Sequence, residues 1–143
     1  MRPRPTGATG AAWDRPRHIS AMQQQTRTAV VERTREGVIT VRVRAGERQS
    51  VADAKDNLAA ALELRSGERR AILIDIRDAV PLDAEVRRFY SGTVLADFSA
   101  MALLVKANPL GRMIGNVYLR IANTGIPTRL FTNEPTAIEW LRR

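Results

Sequence analysis

The chain contains no cysteine, which removes disulfide frameworks, thiolate metal sites and thiol nucleophiles together. Histidine occurs once, as His18, in a stretch with no sustained period. A side chain there is not held within reach of a nucleophile or a metal, so neither a triad nor a zinc site is expected. No run approaches the roughly 18 apolar residues that cross a bilayer, and the arginine- and proline-containing N-terminus lacks the apolar centre of a signal peptide. The expected location is therefore cytoplasmic. Glycine supplies no phosphate cradle, since neither GxxxxGK followed by Ser or Thr nor GxGxxG is present. Lysine is scarce as well: of 23 basic residues only Lys55 and Lys106 are lysine.

What is present is ordinary globular material. Hydrophobic residues make up 44% of the 143 and charged residues 27%, enough apolar content for one domain with its own core. Residues 1–26 mix Pro, Gly, Thr, Ala and Gln without a period of 2 or 3.6 and are expected to form a disordered basic tail, with the domain over 27–143. An upstream start, with Met22 opening the stretch that leads into the domain, is preferred over an arm that contacts nucleic acid or membrane. The formal charge is +8, of which Arg2, Arg4, Arg15 and Arg17 against Asp14 place +3 in the tail, leaving +5 for the rest. The remaining arginines are scattered and often lie beside acids, as in Glu32-Arg33, Arg35-Glu36 and Arg77-Asp78. That pattern describes a solvated surface better than a nucleic-acid patch, although a basic nucleic-acid or membrane-surface binder stays open as an alternative.

From Thr28 to Arg44 two β-rich runs flank a turn at Gly37. Ile39, Val41 and Val43 lie on one side and Val38, Thr40, Arg42 and Arg44 on the other, a hairpin with one buried and one wet face. Ser50 followed by Asp53 resembles a capping box for a helix over about 51–65, stopped by Ser66-Gly67. Ala71–Ile76 reads as a central strand covered on both faces. Asp83 is placed to cap a second helix through Val86, Phe89 and Tyr90, ended by Ser91-Gly92. Ser99–Val105 is another buried strand, and Pro109 opens a third helix that Gly125 and Pro127 terminate. Thr128–Thr132 is a last strand before a helix capped by Thr132 or Asn133. The order β-β-α-β-α-β-α-β-α implies an α/β fold with a mixed central sheet, antiparallel at the hairpin and parallel where helices connect the strands.

Candidate chemistry is thin. Asp75 and Asp78 follow the central strand, where α/β sheets bind ligands, and could hold magnesium or a phosphoryl group. The simpler reading has Asp75 paired with a neighbouring loop and Asp78 solvated beside Arg77. Lys106, Asn108 and Arg112 could receive an anion near the start of the third helix. Gly111 and Gly115 are expected to bring that helix close to the sheet. Asp83, Arg87 and Arg88 form the most charged exposed patch beside the strand ends, and with Asp78 and Tyr90 they are the expected contacts for a partner. No catalytic set and no cofactor or metal site is expected, and a small-ligand or weakly enzymatic cleft at the strand ends is the alternative.

With this order of elements, Ala71–Ile76, Asn108–Asn116 and Pro127–Asn133 followed by Ala137–Leu141, the chain resembles the STAS/SpoIIAA-like group over roughly residues 28–143. It is most similar to the uncharacterised bacterial SpoIIAA-like branch. The resemblance implies a module that acts by binding a protein or its own copy, without cofactor or turnover. The group's anti-sigma antagonists switch by phosphorylation of a serine after the central strand. The corresponding Asp78-Ala-Val-Pro-Leu-Asp83 has no hydroxyl, and Asp83 offers only a fixed charge of the same sign.

Overall fold

The structure is a computed structural model that describes residues 22–121 and 124–143. Six strands form one sheet in sequence order: β1 (Gln23–Gln25), β2 (Ala29–Arg33), β3 (Ile39–Val43), β4 (Ile72–Asp75), β5 (Met101–Leu104) and β6 (Thr128–Phe131). The first three form an antiparallel meander and β3 to β6 run parallel, joined through α1 (Val51–Leu64), α2 (Ala84–Tyr90) and α3 (Pro109–Ile121). All three crossovers step in the same direction across the sheet, so right-handed connections lay these helices on one face. The last helix, α4 (Glu134–Leu141), has no further strand to reach and folds back on the other face.

Side-chain alternation divides the core accordingly. On the α1–α3 face Val31, Ile39, Val41, Ile72, Met101 and Leu103 pack with residues of α1 and with Leu95 and Phe98, which lie in the turns after α2. On the other face Leu73, Ala102, Leu104 and Phe131 meet Ala137 and Leu141 of α4. Strands β4 and β5 are thus covered twice, which is why both are nearly continuous apolar runs. The hairpin face expected to be wet is only partly so. Val38 and Thr40 are buried, because at that end the sheet continues under the α4 layer.

Local signals account for most boundaries. Ser50 Oγ accepts from the Asp53 amide at 3.1 Å while Asp53 Oδ2 accepts from the Ser50 amide at 2.8 Å, a complete capping box. Asn133 Oδ1 caps α4 by accepting from the Thr136 amide at 2.9 Å. Asp83 occupies the N-cap position of α2 but makes no cap hydrogen bond; its Oδ1 instead accepts from Arg48 Nη1 at 2.8 Å, so the ion pair wins over the cap. The expected tail boundary also moves. Gln23–Gln25 is the edge strand, held by pairing with Glu32, Val31 and Val30, while residues 1–21 lie outside the described residues. A three-glutamine run has no apolar alternation, and only the neighbouring strand makes it extended.

The two glycines of α3 do what close packing requires. A Cβ at Gly115 would overlap Leu130 Cδ1 and stand 3.2 Å from Val105 Cγ1, and a Cβ at Gly111 would overlap the Lys106 carbonyl oxygen. The Leu130 side chain can move, whereas the Lys106 carbonyl cannot without shifting the loop that leads into the helix. Gly111→Ala is therefore expected to lower stability by about 1–3 kcal/mol despite alanine's higher helix propensity, and Gly115→Ala by less. Urea unfolding of the two variants checks the order, and a Gly111→Ala protein as stable as the parent would contradict it.

Candidate functional site

The carboxyl ends of the parallel strands gather most of the polar residues of interest. Asp75, the last residue of β4, is 7% exposed and points to the α4 face, opposite Arg42 of β3. Arg42 Nη1 donates to Asp75 Oδ2 at 3.0 Å and its guanidinium forks onto Glu134, Nη1 to Oε1 at 2.9 Å and Nη2 to Oε2 at 2.5 Å. From the next loop Arg77 donates Nε to Asp75 Oδ1 at 3.0 Å and Nη2 to Oδ2 at 2.8 Å, and reaches Glu134 Oε1 at 3.2 Å. Two cations and two anions thus close a neutral network that ties β3, β4 and the first turn of α4 together. Burial pushes the Asp75 carboxyl up, but the hydrogen bonds and charge of Arg77 and the charge of Arg42 outweigh it and hold the pKa below its ordinary value. The hydrogen bonds from Arg42 likewise depress Glu134.

On the other side of the strand ends, a groove of 460 Å³ opens between the loop 76–81 and the first turns of α3. Its walls are mainly apolar: Ile76, Val80 and Pro81 from the loop, Val105 from the end of β5, and Leu110 and Ile114 from α3. Leu110 is 60% exposed and Met113, one turn on along the same helix, 57%. Lys106 Nζ lies 3.4 Å from Asp78 Oδ1 at the rim, both exposed. Tyr118 ends the groove; its hydroxyl accepts from the Leu82 amide at 2.5 Å, strapping the loop to α3.

Beneath α2 and α3 lies a second, smaller space of 60 Å³ against the sheet. Val41, Ile74 and Leu103 form its floor, and Arg87, Tyr90 and Tyr118 line its helical side. Tyr118 and Ile76 face both this chamber and the groove.

The candidate residues divide between these places. Asp75 and Asp78 do not converge: the first is enclosed by Arg42 and Arg77, the second pairs with Lys106 at the surface. Asn108 Oδ1 accepts from the Gly111 amide at 2.7 Å and so presents an oxygen, not a donor, to the start of α3; Arg112 is exposed on the helix. Lys106 and Asn108 both line the groove, while Arg112 does not. Asp83 and Arg88 are exposed with Asp78, while Arg87 and Tyr90 turn inward and line the chamber. Arg87 Nη1 donates to the Leu82 carbonyl at 2.5 Å, and burial raises the Tyr90 phenol above its ordinary range, with the Asp53 charge adding to it. Sequence reasoning missed the roles of Arg42 and Glu134, 92 residues apart. The one available signal was an arginine on an otherwise alternating strand.

A family model described as "Domain of unknown function (DUF7793)" matches residues 33–143. Among solved structures the chain is similar to an uncharacterised protein of the DUF3478 family with a SpoIIAA-like fold from Shewanella loihica PV-4, at 13% identity and a TM-score of 0.53, over 82% of this chain and 98% of that one. A protein of unknown function from Arthrobacter sp. FB24 aligns at 26% identity and a TM-score of 0.32, over 82% of this chain and 95% of that one. No curated protein matches the sequence. The first likeness establishes the SpoIIAA-like fold, in agreement with the expected mixed sheet and, from β2 onward, with the expected order of elements.

The charge network carries a pH dependence of definite sign. Asp75 and Glu134 have folded pKa values below their unfolded ones, so their contribution is present above about pH 4, the ordinary carboxylate range, and is lost as pH falls further. Arg42→Met, which leaves Glu134 with Arg77 alone, is expected to cost about 1–2 kcal/mol at neutral pH, between the values for exposed and buried pairs. The cost should shrink on acidification. Urea midpoints from pH 7 to pH 3 measure both, and a cost independent of pH would assign the effect of Arg42 to packing.

Proposed function

We propose that this chain, which belongs to the DUF7793 family of domains of unknown function, is a binding module without turnover whose groove beside α3 takes an acidic, apolar-anchored segment of a partner protein. The observation that carries this reading is a groove with apolar walls on which Leu110 is exposed, with Met113 exposed one turn further along the same helix. Apolar side chains at such exposure on a concave surface favour a partner that covers them.

Charge selects the kind of partner. Helix α3 has no acidic residue and carries Arg112 and Arg120, both exposed. At the rim, Lys106 is balanced by Asp78. Two copies of the chain meeting through this helix would bring like charges together, which disfavours self-association there, whereas an acidic segment is complementary. The nearby carboxylates support a role in binding and not in proton transfer. Asp75 is held by two arginines, Asp78 by Lys106 and Asp83 by Arg48, and a general base with its lone pairs committed to cations is a poor one. Loop 78–83 has no hydroxyl to phosphorylate, so the module is constitutive at that position. A cytoplasmic location fits this role; among the described residues no helix is long and apolar enough to cross a membrane.

The test uses a panel of synthetic amphipathic peptides of about 15 residues that share an apolar stripe and differ in the sign of their charged face. Acidic members should shift the amide resonances of residues 76–81 and 106–118, bind at least about tenfold more tightly than basic ones, and weaken as salt rises. Leu110→Glu with Met113→Glu should abolish the shifts while leaving stability within about 0.5 kcal/mol, since both side chains are surface residues. Equal binding of acidic and basic peptides, or shifts elsewhere, would overturn this assignment of the groove.

A further inference from the structure

Among the described residues Arg87 and Arg65 each bury an Nε without a hydrogen-bond partner, and of the two Arg87 lines the chamber. Its Nη1 is spent on the Leu82 carbonyl, but Nε is shut off from solvent with no acceptor, and Nη2 has none among the described residues. The vacant edge is the side-on fork of the guanidinium, Nε with Nη2. Elsewhere in this protein the same edge grips a carboxylate twice: Arg27 donates Nε and Nη2 to Asp53 at 2.9 and 2.6 Å, and Arg77 donates them to Asp75 at 3.0 and 2.8 Å. A buried donor left without a partner costs stability, and more so on a cation, so its retention calls for an acceptor.

The chamber that Arg87 lines has the matching chemistry. Its floor and sides are aliphatic, from Val41, Ile74, Leu95 and Leu103, while its polar lining includes Tyr90 and Tyr118. The Tyr118 oxygen already accepts from the Leu82 amide, leaving its hydroxyl proton free to donate. Among the described residues no Asp or Glu lines the chamber. A space with aliphatic walls, a cation and phenolic donors, and no anion is complementary to a molecule with an apolar body and one anionic acceptor.

We propose that the chamber under α2 and α3 binds a short-chain carboxylic acid, with the carboxylate on the Nε/Nη2 edge of Arg87 and the hydrocarbon against Ile74 and Leu103. The volume sets the length. A cavity of about 150 Å³ accepts the six carbons of benzene, and this one measures 60 Å³, so it takes a hydrocarbon tail of about two or three carbons, an acid of about three or four carbons with its carboxylate on the Arg87 edge. Tyr118 and Ile76 face both chamber and groove, so the route in passes the Tyr118 strap. The site shares Tyr118 and Ile76 with the groove, but neither Leu110 nor Met113 lines it.

The experiment titrates the full chain with sodium acetate, propionate, butyrate, isovalerate, hexanoate and octanoate, following the Arg87 Nε–H and the methyl resonances of Ile74 and Leu103 by NMR. Affinity should peak at about three or four carbons and fall for longer chains, and the amide and alcohol of the best chain should bind at least about tenfold more weakly. Arg87→Leu should lose the binding and Arg87→Lys should restore part of it, because lysine keeps the charge without the fork. Ile74→Met, a near volume-conserving change in the floor, tests the wall without depending on loss of the charge and should shift the preferred length. Leu110→Glu with Met113→Glu should leave binding unchanged, which separates failure of this site from failure of the groove. No shift at about 10 mM butyrate, far above a useful affinity, would overturn the proposal. Affinity that climbs steadily with chain length, or equal binding by a folded Arg87→Leu protein, would do the same.

Discussion

A carboxylate that ends the central strand, Asp75, and the two arginines that keep it charged there hold the carboxyl end of the parallel sheet in place. Removing a carboxylate from water is costly unless cations and hydrogen bonds replace the solvent. Here Arg42 comes from the adjacent parallel strand and Arg77 from the loop that follows. Because Arg42 also forks onto Glu134, the same charges draw the first turn of α4 against the sheet. The loop that continues from Arg77 is the one that walls the groove, so the position of that wall is set by the pairing of a strand residue.

From that anchor the two sides of the sheet take different roles. The α4 face is closed by Leu73, Ala102, Leu104 and Phe131 beneath Ala137 and Leu141, with Trp140 against the Phe131 ring at 5.5 Å between centroids. The opposite face carries three helices, and there the packing is looser. Helices α2 and α3 stand over Ile74 and Leu103 with a chamber between them, and the outer side of α3 leaves Leu110 and Met113 in solvent. Both features depend on α3 lying close to β5 and β6 at Gly115 and close to its own leading loop at Gly111. Tyr118 joins them, one ring serving as the end wall of the groove and the side wall of the chamber. The SpoIIAA-like fold supplies the frame for this arrangement, while the chemistry resides in the residues placed on it.

Much of the architecture was legible in the residues. Alternation at Ile39, Val41 and Val43, continuous apolar runs at β4 and β5, the Ser50–Asp53 box and Pro109 at the head of α3 each state a local preference that tertiary contacts reinforce. Strand β1 was not legible, because three glutamines have no preference of their own and become extended only by pairing with β2. The cap expected of Asp83 failed for a related reason: a carboxylate can satisfy a helix amide or a distant guanidinium, and Arg48 lies 35 residues away in sequence. Arg87 and Tyr90 read as surface residues on a charged helix. Helix α2 is short, and its inward side is decided by where α1 and α3 stand beside it.

By itself the sequence determined the class of fold, the order of its elements from β2 onward, the apolar side of β3, the double burial of β4 and β5 and the want of thiol, imidazole or glycine-loop chemistry in the domain. These follow from period, composition and residue type, which act over a few neighbours along the chain. Tertiary structure alone decided which charges meet. It paired Arg42 with Glu134 across 92 residues, sent Asp83 to Arg48 in place of its own helix, and turned Arg87 toward an aliphatic chamber with one edge unpaired. Ion pairs and cavities are properties of distance in space. Distance along the chain constrains them only after the sheet has brought its strand ends together.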